Sequence, residues 1–131
     1  MRDIRFRAWH EYGAAFKGGR KNSFKPGMIY DDKPGDCLVW KNNGQRILDI
    51  LQFTGLKDKN DKDIYEGDIV EYVFNRKRER AHIIYETQFG KWTGKRFPGA
   101  MAENLGLCWV ARHAEVIGNI HETPELLTNK G

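Results

Sequence analysis

The sequence predicts a mainly β fold: a small SH3-like or partly open β-barrel with an N-terminal β elaboration, long Gly-rich loops and a short C-terminal helical turn. Three observations predict it. Short runs of β-branched and aromatic residues recur along the chain. Clusters of Gly, Pro and Asn separate them. No long segment carries a convincing helical period.

The elements follow in chain order. "IRFRAW" alternates, with Ile4, Phe6 and Ala8 on one face and Arg5, Arg7 and Trp9 on the other, so it reads as a half-buried strand with arginine stems on its wet side. Residues 11–27 read as a long loop or loose hairpin punctuated by Gly18-Gly19 and Pro26-Gly27, with Phe16 and Phe24 pinning it down. "MIYDDKPGDCLVW" offers two short strands around a turn at Lys33, Pro34 and Gly35, and Asn43-Gly44 is a hairpin signal. Residues 46–53, "RILDILQF", fit a short helix by the spacing of Ile47, Leu48, Ile50 and Leu51, and a strand by their β-formers. "DIVEYVF" is a strand, "NRKRER" a charged turn and "AHIIYE" the returning strand. Residues 87–106 read as a second Gly-rich loop. "LCWVA" and "EVIGNIHE" close the β region, and "TPELL" is one helical turn, with Thr123 as N-cap and Pro124 at its first position.

At 131 residues the chain is expected to be one domain, large enough to bury a core unaided. Aromatic residues at 12% argue against disorder. The net charge of +4 permits contact with nucleic acid without demanding it. No apolar run approaches the roughly 18 residues of a membrane span. "MRDIRFRAWH" has no apolar signal region, and Cys37 and Cys108 are expected as free thiols, so a reducing cytoplasm is the expected compartment.

The most organised stretch is "FTGLKDKNDKDIYEGDIVEY", residues 53–72. Laid on a calcium loop from Asp58, it puts Lys62 where an oxygen ligand belongs, Asp63 in place of the glycine and Ile69 at the bidentate position. Main-chain geometry accounts for more of its residues. Gly55 permits a bend, Asn60-Asp61 tolerate left-handed backbone, Gly67 allows a sharp turn and Asp68 ties a nearby N–H. Neither the cysteines nor His10, His82, His113 and His121 form a nucleophile or zinc signature, so no catalytic residue, metal or cofactor is expected. Cys108 reads as a small core residue. Arg76, Lys77, Arg78, Arg80, Lys91, Trp92, Lys95 and Arg96 form a basic and aromatic region suited to single-stranded nucleic acid, although a charged hairpin tip is usually just solvated.

"MRDIRFRAWH", "FTGLKDKNDKDIYEGDIVEY" and "EVIGNIHETPELL", in that order, resemble the YopX family of phage and prophage proteins from residue 1 to 127. The matching positions are Arg5, Phe6, Ala8 and Trp9; Thr54, Gly55, Leu56, Asp58, Tyr65, Gly67 and Asp68; and Ile117, Gly118, Asn119, Glu122, Pro124 and Leu126. One departure stands out: Asn60-Asp61 replaces the usual Asn-Gly. The resemblance implies a single domain over 1–131, with an N-terminal β elaboration at 1–52 and a barrel-like core at 53–127. It also implies a bacterial or phage-borne origin, with the cytoplasm of the bacterial host cell as the compartment, and a homo-oligomer, and it supplies no catalytic mechanism. Three functions are carried forward: a non-enzymatic module that binds a protein, itself or another; a nucleic-acid binder using the 76–96 region; and a metal-dependent hydrolase or nuclease using Asp58 and Asp68.

Overall fold

A computed structural model describes residues 4–11, 26–31, 33, 35–42, 47–97 and 105–128. Residues 12–25 of the expected loop, the turn at Asn43-Gly44 and residues 98–104 lie outside them, and the last residue of that loop, Gly27, is strand. The chain is mainly β and divides into two compact units, Met1–Phe53 and Thr54–Gly131.

In the first unit, β1 (Phe6–His10) lies between β2 (Gly27–Tyr30) and β3 (Ile47–Lys57), antiparallel to both. Residues 47–57 are therefore strand, and the helix-like spacing has a local cause. Trp9 pairs with Asp49 but His10 pairs with Ile47, so Leu48 is the extra residue of a β-bulge. The bulge resets the alternation, which lets Ile47 and Ile50 face the same small core with Phe6, Ala8, Ile29 and Cys37. Leu48 is left exposed. The arginine stems are not on a wet side: Arg7 is 3% exposed. The Arg5 guanidinium lies 4.1 Å from the centre of the Phe53 ring.

The second strand expected within residues 28–40 is instead helix α1 (Asp36–Asn42). Cys37 and Trp40, three apart, both turn toward the core, while Leu38 and Val39 stay exposed. Asp31 starts the helix from a distance. Its Oδ1 accepts the Cys37 N–H at 2.8 Å, and its Oδ2 accepts those of Gly35 and Phe6 at 2.9 and 3.0 Å. One carboxylate thus serves the helix N-terminus, the preceding turn and β1.

In the second unit, the last residues of β3 lead into β4 (Asp63–Tyr65). A five-stranded antiparallel sheet follows, in the order β8-β7-β6-β5-β9. Its members are β5 (Asp68–Phe74), β6 (Lys77–Glu86), β7 (Lys91–Phe97), β8 (Leu105–Gly106) and β9 (Glu115–Asn119). It curls into a half-barrel. Its core face gathers Val70, Tyr72, Ala81, Ile83 and Ile64, and helix α2 (Leu107–His113) covers it through Val110.

Several expectations change here. The turn at "NRKRER" contracts to Asn75-Arg76, whose positive φ values of 51° and 65° match a two-residue hairpin. Residues 77–80 belong to β6. Residues 91–97 of the expected second loop are strand β7, because Trp92, Gly94 and Arg96 alternate with Lys91, Thr93 and Lys95 in register with β6. "LCWVA" is helical: Val110 and Ala114 are buried four apart, and Trp109 and His113 stack with ring centres 4.7 Å apart. That period turns Cys108 outward, so it is an exposed thiol and not a core residue. Finally, α3 (Glu125–Thr128) follows Pro124, and the Thr123 hydroxyl bonds back to the end of β9. It accepts the Asn119 N–H at 3.0 Å and donates to the Asn119 carbonyl at 3.1 Å. Gly118 is needed for this contact, because a Cβ there would collide with Thr123 Oγ1.

The loop between β3 and β4 is a three-residue hairpin turn. The Asp58 N–H donates to the Lys62 carbonyl, and the Asp61 N–H to the Asp58 carbonyl. Asp61, at φ 67°, occupies the left-handed position where Gly is usual. Its ion pair with Lys57 spans 3.9 Å at the surface and contributes little. Replacing Asp61 by Gly is expected to stabilise the protein by about 0.5–1 kcal/mol, read as a higher urea midpoint at unchanged slope.

Candidate functional site

The acids that sequence reasoning weighed for chemistry are both buried: Asp58 is 6% exposed and Asp68 2%. Asp58 Oδ1 accepts the N–H groups of Asn60 and Lys62, each at 2.9 Å, and closes the turn. Its Oδ2 accepts the Val116 N–H at 2.7 Å, which ties the turn to β9. Two further bonds reinforce that tie. The Lys59 N–H donates to the Ala114 carbonyl at 3.2 Å, and Asn60 Nδ2 to Glu115 Oε2 at 3.0 Å. Asp68 Oδ2 accepts the Tyr65 N–H at 2.7 Å across a turn in which Gly67 holds φ at 84°. Both carboxylates thus meet main-chain donors, and no group of three or more potential metal ligands occurs among the described residues.

The other signature positions have related roles. Thr54 Oγ1 donates to the Ile64 carbonyl at 2.7 Å, joining β3 to β4. Asn119 Oδ1 accepts the N–H groups of His121 and Glu122, and its Nδ2 donates to Glu122 Oε1, which shapes the turn into α3. Gly55 adopts φ 92° inside β3, Tyr65 is buried and Trp9 half-buried. Pro124 is exposed just before α3.

The basic and aromatic region does not gather on one surface. Strand alternation puts Arg78, Arg80, Lys91 and Lys95 on one face of the sheet and Lys77, Trp92 and Arg96 on the core face. Three of the cations have acidic partners. Glu71 accepts from Arg78 at 3.1 Å and Arg80 at 3.2 Å, and Glu79 accepts from Arg96 at 2.6 Å. Trp92 packs against the core and meets Tyr85 edge-on at 4.9 Å.

What the fold assembles instead is a polar and aromatic cluster beside the β5–β6 turn. Glu79 accepts from Arg96 and from the Tyr72 hydroxyl, the latter at 3.1 Å. The Arg96 guanidinium lies 5.0 Å from the centre of the Phe74 ring, and Tyr72 meets Trp109 edge-on at 5.3 Å. Burial is the main force raising the Tyr72 pKa from its usual 10.0 to about 12, with the neighbouring Glu79 adding to it. The cluster therefore holds a neutral, buried phenol and a paired Arg–Glu bridge, which ties β5, β6 and β7 together and is poorly suited to proton transfer near neutrality. Sequence reasoning nominated Arg96 but missed Tyr72, Glu79 and Trp109. The signal was the two-residue turn, which sets Tyr72 opposite Glu79, and the register that follows.

A family model described as "YopX protein" matches residues 5–128. Among solved structures, the crystal structure of protein EF1440 from Enterococcus faecalis is similar at 25% identity and a TM-score of 0.53, with 97% of this chain and 99% of that one covered. No curated protein matches.

Two outcomes test this description. Asp58→Ala is expected to cost about 3 kcal/mol of stability, because three N–H groups lose a charged acceptor, measured by chemical denaturation. The second concerns alkaline pH. The folded state holds the Tyr72 proton more tightly than the unfolded chain does, so its contribution is complete below pH 10 and disappears as pH rises toward 12. Tyr72→Phe is expected to remove that part of the alkaline loss, seen by comparing denaturation midpoints across the interval.

Proposed function

The chain belongs to the YopX family, and on that premise we propose that it works as a non-enzymatic interaction module that binds a protein. The observation that carries this reading is the commitment of Asp58 and Asp68 to backbone donors. A carboxylate held that way is poorly placed to carry a metal or a proton for a substrate. The exposed Phe74 ring with the half-buried Arg96 guanidinium over it supports recognition, since interface centres favour aromatic and arginine side chains. The family resemblance adds a phage or prophage setting inside a bacterial cell and self-association. No helix among the described residues is long and apolar enough to cross a membrane.

Two measurements test the reading. The purified chain with Mg²⁺ or Mn²⁺ is expected to turn over neither nucleic acids nor ester reporters. A turnover lost in Asp58→Asn or Asp68→Asn while the thermal midpoint holds would overturn the proposal. Partners captured from a bacterial lysate and re-tested one by one are expected to bind with shallow salt dependence. A steep fall in affinity with salt, together with nuclease sensitivity of the capture, would mark a phosphate-driven complex instead.

A further inference from the structure

We propose that the outer edge of β5 at Val73 accepts an extended, acidic peptide segment of a partner protein as an added strand. This rests on the protein-binding reading and names where and how the partner is held.

The backbone sets up the site. Phe74 and Lys77 flank a two-residue turn and therefore exchange hydrogen bonds with each other. The N–H and C=O of Tyr72 face β6 for the same reason, and those of Val73 point the other way. On that outer side β9 pairs with β5 only as far as Glu71. Val73 therefore continues the edge one step past the end of β9, and among the described residues no strand covers it.

The side chains around this edge fit one kind of occupant. Val73 is 62% exposed and Phe74 40% exposed, and they project from opposite faces of the strand. A peptide laid alongside would cover apolar surface on both faces. The adjoining turn brings Arg76 and Lys77, which form no ion pair among the described residues. Arg78, directly across from Val73, shares the single carboxylate of Glu71 with Arg80. The edge thus joins main-chain hydrogen-bonding groups, apolar contact and surplus positive charge. Strand addition supplies affinity through the first and specificity through the other two. An acidic, apolar-alternating strand complements all three. A nucleic acid would use the charge and leave the backbone groups and Val73 unmatched.

The test uses the full chain and a fluorescein-labelled short peptide alternating Glu and Val, followed by anisotropy. Val73→Pro removes the outward N–H without breaking a β5–β6 bond, so its thermal midpoint should stay near wild type. Its affinity for the peptide is expected to fall about tenfold, the scale of one lost backbone hydrogen bond. A peptide N-methylated on alternate residues should show the same loss on the wild-type chain, which keeps the test independent of how the variant folds. Arg76→Glu with Lys77→Glu should weaken binding further and favour a Lys/Val peptide. Equal binding of the N-methylated peptide, or tighter binding of a single-stranded oligonucleotide, would overturn the proposal. A change in the sedimentation of the free protein on Val73→Pro would overturn it too, because a second copy would then hold the edge. If a confirmed protein partner binds Val73→Pro unchanged, the binding reading stands and the edge assignment falls.

Discussion

The second unit depends on the carboxylate of Asp58. It draws together N–H groups from its own turn and from Val116, 58 residues away in sequence. A buried carboxylate is costly unless its lone pairs are met, and three main-chain donors meet them here. The same bonds fix where β9 begins, and β9 is the strand that flanks β5. The length of β9 in turn decides how much of the β5 edge stays open. A single charged side chain thereby links the acidic loop to the part of the sheet proposed to meet a partner.

Asp31 plays a comparable part in the first unit, with donors from Phe6, Gly35 and Cys37. Two of the chain's acids therefore organise loops as a ligand would, from within. This changes how acidic clusters in such a sequence should be read. "DKNDKD" looks like a cation loop on paper, yet its one buried acid faces N–H groups, and its lysines lie on the exposed side of the turn. The charge of the loop is largely a surface property, whereas its architecture rests on Asp58.

The β5–β6 hairpin shows how local chemistry becomes a surface. Asn75 and Arg76 take left-handed backbone, so the turn closes in two residues and every register position behind it is set. Tyr72 is placed opposite Glu79, Val73 opposite Arg78 and Phe74 opposite Lys77. Arg96 reaches Glu79 from the next strand and leans on Phe74. The basic region that looks continuous in sequence is divided by the pleat into two faces, and its arginines are largely matched by Glu71 and Glu79. What remains unmatched is confined to the tip and to scattered lysines.

The sequence by itself determined the mainly β character, the family, the turns at Asn60-Asp61 and Gly67, and the strand after "EGD". These follow from local rules: left-handed backbone favours Gly, Asn or Asp, and alternation marks a half-buried strand. Other features were decided only by tertiary structure. Helices α1 and α2 have too few residues for a period to show, and each is specified by what it packs on and, for α1, by a carboxylate from elsewhere. Strand β7 was hidden by its glycine and lysines until β6 supplied its register. The bulge at Leu48 made a strand look helical. The roles of Glu79, Tyr72 and the open edge at Val73 depend on which strand lies beside which, and on where a neighbour stops. Such facts are pairings between distant segments, which no local pattern encodes.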